Sequence, residues 1–84
     1  MNSIVPIKIG IKFEPASLIL VYRDKSKLRS RQIPVKNLDI LTDVNIYSEN
    51  FKLSEKYRKY FDKIPVKRLA KLIFIVQDNM KGYT

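Results

Sequence analysis

The chain has no cysteine and no histidine, and only two glycines among its 84 residues. Without cysteine there are no disulfides, thiolate nucleophiles or thiolate metal sites, and without histidine the commonest general base and metal ligand is gone. The lack of cysteine is compatible with a reducing cytosol, which gives the expected compartment. Long hydrophobic runs are missing as well. The longest wholly apolar stretches, Leu18 to Tyr22 and Leu72 to Val76, are five residues each, against the roughly 20 that a membrane span needs. The N-terminus has no basic stretch leading into an apolar region and a small-residue cleavage site, so no secretion signal is read there. The expectation is a soluble protein with no membrane partner.

What is present is apolar residues at 45% and charged residues at 30%, a composition that folds. The length suits one domain, residues 1–84, with a thin core, because a chain this short buries only about 60 to 65 per cent of its unfolded surface. The formal charge is +9, which points to an acidic partner surface. Up to Lys36 there are eight basic residues against two acidic ones, so the first half holds most of the excess.

Ser17 to Arg23 is short, β-branched and aromatic, bounded by Pro15 and by the polar run Asp24 to Lys27. It reads as a strand ending in a turn. From Leu28 to Lys36 the residues alternate, with Arg29, Arg31, Ile33 and Val35 on one face. The two runs form an antiparallel hairpin. Ile9 to Phe13 alternates too and supplies a third strand or an extended lead-in, since a two-stranded hairpin alone is marginal. Pro34 cannot donate a ladder hydrogen bond and so belongs at a sheet edge or bulge.

Helical signals follow Asn37. Thr42 or Asp43 can cap a helix carrying Val44, Tyr47 and Phe51 at spacings of three and four. Ser54 can cap a second short turn that carries Tyr57, Tyr60 and Phe61 on one stripe. The longest helix runs from Pro65 to about Met80, with Leu69, Leu72, Ile73, Val76 and Met80 on one face and Gly82 placed to end it. The predicted fold is α+β: a β-hairpin or three-stranded antiparallel sheet over 9–37, then a helical part over 38–82 with two short helices and one longer C-terminal helix.

The cluster Lys25, Lys27, Arg29 and Arg31 has two readings: a grip for an acidic protein surface, or charges that keep an edge strand from pairing promiscuously. Tyr57, Tyr60 and Phe61 are read as core rather than as a binding ridge. Phe74 and Ile75 lie off the helical stripe and are the apolar interface candidates. The acidic residues are scattered singly through polar stretches, and Asp39 and Asp43 suit a helix N-terminus. No catalytic, cofactor-binding or metal-ligating set is read, and no enzyme. The charge alone would suit nucleic acid, but there is no GxxG loop, aromatic strand motif or metal finger, so that partner ranks last.

Two segments are more specific. Gly10-Ile-Lys-Phe-Glu-Pro15-Ala-Ser-Leu-Ile-Leu-Val-Tyr22, followed by Lys27-Leu-Arg-Ser-Arg-Gln-Ile-Pro34-Val-Lys-Asn37, resembles the signature of the centrosomal protein of 19 kDa family. In that family a GIRF-x-PP segment leads into an aliphatic strand ending in tyrosine, and an R-x-R-x-(I/M)-P-V-R-N segment follows. The likeness runs on through Tyr60 into Leu69-Ala-Lys-Leu72. Ala16 stands where the family usually has a second proline, Lys12 and Lys36 replace arginines, and Pro65 stands where a capping serine is usual. On this resemblance Gly10, Phe13, Pro15, Tyr22 and Pro34 are structural motif positions, and Lys27, Arg29, Arg31 and Lys36, with Phe74 and Ile75, are the candidate contacts.

The resemblance implies a cytoskeletal adaptor at the centrosome, centriole and cilium basal body. There a FOP-type LisH partner with a large centriolar scaffold recruits it, and it supports cilium assembly by handing a Rab-like small GTPase to intraflagellar transport. Family members continue into a further charged helical region that is implied to hold the GTPase. This chain is therefore expected to keep the docking half, with GTPase binding left open. The alternative is a component of microtubules or the axoneme, because the acidic tubulin surface would also select a +9 chain.

Overall fold

The computed structural model describes residues 3–81. Three strands, β1 (Ile4–Phe13), β2 (Ala16–Asp24) and β3 (Lys27–Pro34), precede three helices, α1 (Val44–Leu53), α2 (Arg58–Phe61) and α3 (Val66–Lys81). The strands form an antiparallel meander in the order β1-β2-β3, and α3 is the longest helix. This is the α+β arrangement expected from the sequence.

β1 begins at Ile4, five residues before the alternation read from the sequence. The reason is a bulge: the register shifts between Pro6 and Lys8, leaving Ile7 unpaired. An extra residue reverses which parity faces inward. Opposing residues in an antiparallel pair share a face, so Ile4 and Pro6 on one side of the bulge, and Ile9 and Ile11 on the other, all lie on the face of Leu18, Leu20 and Tyr22. Those three β2 side chains are buried, with Ile33 of β3 beside them.

The turn between β1 and β2 contains a cis Glu14–Pro15 peptide. Between β2 and β3 the turn is two residues, Lys25 and Ser26, closed by the pair Asp24 and Lys27. Lys25 has φ 60, the left-handed region that hairpin turns require at this position. Pro34 closes β3, which is a sheet edge, as its missing donor demands. The ladder is then extended by the Val35 amide, which donates to the Ala16 carbonyl at 2.9 Å.

Of the two candidate caps, Asp43 holds the position. Its carboxylate accepts the amides of Asn45 at 2.9 Å and Ile46 at 3.2 Å, satisfying donors that the first turn of α1 leaves free. Thr42 instead joins Asp39 in a closed local turn, its hydroxyl accepting the Asp39 amide at 3.0 Å. Ser54 does not cap the second turn as expected. It is the C-cap of α1, and its carbonyl accepts the amides of Tyr57 and Arg58. The N-cap of α2 is Tyr57, with no side-chain cap bond.

Pro65 precedes α3, and its carbonyl accepts the Arg68 and Leu69 amides. Gly82, read as the stop of α3, lies outside the described residues. On α3 the buried side chains are Leu69, Ala70, Ile73, Val76 and Gln77; of the expected stripe, Leu72 and Met80 are only partly buried against the core, and Ala70 and Gln77 are buried instead, so the inner face is turned from the one read in the sequence. Tyr60 and Phe61, both buried, dock α2 into the same core. Phe61 meets Phe51 edge to face at 5.1 Å between ring centres, and Phe51 stacks on Tyr57 at 5.5 Å.

Candidate functional site

The sheet register decides where the candidate contacts stand. Arg29 pairs with Tyr22, and Arg31 with Leu20. Both arginines therefore project from the face that carries the core, not from the opposite one. Both nevertheless remain exposed. Ile33, the next residue of the same parity, is fully buried. One strand thus passes from core to solvent along a single face.

At that boundary sits an aromatic pair. Tyr22 and Tyr60, 7% and 6% exposed, meet edge to face at 5.4 Å. The Arg31 guanidinium lies 5.1 Å from the centre of the Tyr60 ring, and the Lys59 ammonium lies 5.2 Å from it. A cation over a ring face is held by the ring's quadrupole, and more strongly where water is partly excluded. The ring steadies the Arg31 side chain, and a guanidinium is the group that pairs with a carboxylate through two parallel N–H bonds. Arg29 and Lys27 continue the row toward the hairpin tip, on the same face.

Lys36 lies apart from this row. With Pro34, Tyr47, Phe51 and Tyr57 it lines an open hollow of about 430 Å³, and its carbonyl accepts the Tyr47 hydroxyl at 2.7 Å. Phe74 and Ile75, about half exposed, line a groove between α1 and α3. The candidate contacts therefore divide among three places.

Among the motif positions, Tyr22 is buried while Phe13 is 43% exposed and Pro15 is exposed. A side chain added at Gly10 would meet nothing within 4 Å. Tyr60 and Lys59 join the basic cluster only in the fold. Their spacing of one residue gives no hint of it, because the cluster forms only when α2 folds over the sheet.

Asp39 and Asp43 are occupied by local structure: Asp39 accepts the Leu41 amide at 2.9 Å and the Thr42 hydroxyl at 3.1 Å. Among the described residues no group of three or more acidic side chains could hold a metal ion, and no helix is long and apolar enough to cross a membrane.

Two tyrosines carry a pH signature. Burial holds the Tyr22 hydroxyl above the ordinary value of 10.0, reinforced by Tyr60 and opposed by Arg29 and Arg31. Burial likewise raises Tyr47. A phenol whose folded value exceeds its unfolded one stabilises the fold fully below the unfolded value, and that contribution is lost as pH rises through the folded value. Urea midpoints should therefore fall between about pH 9 and about pH 11. Replacing Tyr22 and Tyr47 with phenylalanine should flatten that fall, and an unchanged slope in the double variant would refute the assignment.

The family profile described as CEP19-like protein matches residues 7–84. Three relatives are each named centrosomal protein of 19 kDa. The Danio rerio protein is 32% identical over 82 residues, covering 95% of this chain and 51% of its own. The Bos taurus protein is 32% identical over 77 residues, covering 89% and 47%. The Homo sapiens protein is 30% identical over 77 residues with the same coverage, 89% and 47%. The chain spans about half the length of these relatives. No solved structure matches it.

Proposed function

Because the chain belongs to the CEP19-like protein family, we propose that it is a non-enzymatic adaptor at the centrosome, supporting assembly of the cilium from the basal body. The observation that carries this reading is the row of Lys27, Arg29 and Arg31 on one face, with Arg31 held over Tyr60. A preset guanidinium pairs with a carboxylate at less cost in side-chain freedom than a loose one. The partner surface is then acidic, and the FOP-type LisH protein with its centriolar scaffold is the first to try.

Replacing both Arg29 and Arg31 with glutamate puts like charge against that partner. Capture of the FOP-type protein from ciliated cells should fall about tenfold or more, and the tagged chain should leave the centrosome. Circular dichroism should be unchanged, since both side chains are exposed. Undiminished capture and localisation, with the fold intact, would sink the proposal.

A further inference from the structure

The groove between α1 and α3 stands apart from the arginine row and has its own chemistry. Val44 at the start of α1 faces Ala70, Phe74 and Ile75 of α3, with Lys67 and Lys71 at the margin, around an open volume of about 480 Å³. On α3 these positions recur at intervals of three and four, so they form one continuous strip beside the buried stripe. Phe74 and Ile75 are 49% and 47% exposed. Leu41, three residues before Val44, is 90% exposed on the loop that Gln77 of α3 holds. Val44, Ala70, Phe74 and Ile75 line one groove together, and a contiguous exposed apolar patch, unlike a singly exposed residue such as Leu41, marks an interaction site.

The margin selects the occupant. Lys67 and Lys71 lie four residues apart on one helical face, and Lys81 is close to the Phe74 ring, its ammonium 6.0 Å from the ring centre. A second copy of this chain would bring the same lysines and a +9 charge against them, which like-charge repulsion opposes. A shallow channel between two packed helices, with an apolar floor, fits the ridge of a third helix. We infer that this groove receives an amphipathic helix of a protein partner, apolar on the buried face and acidic along its flanks.

The probe is a designed peptide of about 18 residues, long enough to be helical, with leucines on one stripe and glutamates beside it. Its control carries lysines in place of the glutamates. The acidic peptide should give saturable fluorescence anisotropy with the whole chain, and the lysine peptide should bind about tenfold more weakly or worse. Amide shifts in the NMR spectrum should move at Val44, Ala70, Phe74 and Ile75. Phe74→Ser should weaken binding about tenfold, and Ile75→Ser should repeat the effect if the first variant folds poorly. Lys67→Glu with Lys71→Glu should reverse the preference between the two peptides.

Absence of saturable binding, equal affinity for both peptides, or shifts centred on Arg29 and Arg31 would overturn the inference. So would a dimer in sedimentation that Phe74→Ser dissolves. The arginine variants leave this groove untouched, so failure of either proposal is recognisable without the other.

Discussion

Phe61→Ala should cost about 3 to 5 kcal/mol, against a total of about 5 to 10 kcal/mol for a domain of this size. Phe61 is fully buried and is the largest of the fully buried side chains. The helix that carries it has only four residues, of which Tyr60 and Phe61 alone are buried. So short a helix does not stand by its own hydrogen bonds. It is held by those two rings. Loss of the Phe61 ring opens a cavity against Phe51 and removes the edge-to-face contact, and it loosens the support on which Tyr60 reaches Tyr22 and Arg31.

Urea unfolding followed by circular dichroism measures the loss. If the alanine variant is unfolded from the outset, Phe61→Leu keeps most of the apolar volume and gives a smaller, measurable shift of midpoint. Phe74→Ala is the comparison, because half of that ring is already in water, and it should change stability by no more than about 1 kcal/mol. Equal losses at Phe61 and Phe74 would mean that α2 is not part of the core.

The contrast between these two phenylalanines shows what the sequence can and cannot reveal. Phe61 belongs to a cluster with Tyr57 and Tyr60, and on so short a chain such a cluster is most economically a core; the burial of Tyr60 and Phe61 agrees. Phe74 and Ile75 were readable as surplus because the stripe Leu69, Ile73 and Val76 fills the inner face of α3 without them. The hairpin was legible for the same reason: Ser17 to Arg23 and Leu28 to Pro34 have strand composition, and the polar residues between them are few enough to force a turn.

What escaped the sequence depends on contacts distant along the chain. The bulge at Ile7 breaks the two-residue period, so Ile4 and Ile9 share a face although their separation is odd, and no strict alternation joins them. Pro6 reinforces the error, because proline argues against a strand. The basic row was legible as charge and parity, with Arg29, Arg31 and Ile33 in step. That Arg31 rests on Tyr60, 29 residues later, depends on α2 packing against the sheet, and local pattern is blind to that.

Gln77 escaped for a related reason, and its replacement is expected to show the second large effect. A glutamine one position beyond Val76 reads as the solvent edge of α3, yet it is 5% exposed. Its amide nitrogen donates to the carbonyls of Asp39 and Thr42, at 2.8 Å each. One side chain thereby ties the loop before α1 to α3 and satisfies two acceptors. Gln77→Leu removes both donors at similar volume. Because Asp39 is exposed and Thr42 half-buried, water can replace part of what is lost, and the cost should be about 2 kcal/mol.

Gln77→Glu asks more. At neutral pH it presents a carboxylate, which can only accept, to two carbonyls that also only accept, and the cost should rise to about 3 kcal/mol. The fold then favours the protonated acid, which can still donate to one carbonyl. The introduced carboxyl is thus raised above its usual value of about 4.3. The penalty is therefore smallest below that value and grows as pH rises through it toward the folded value. Urea midpoints at about pH 4 and about pH 7 should separate the two variants, with the gap between them wide at the higher pH and narrow at the lower. Equal losses at both pH values would mean that the loop is not held by the Gln77 donors.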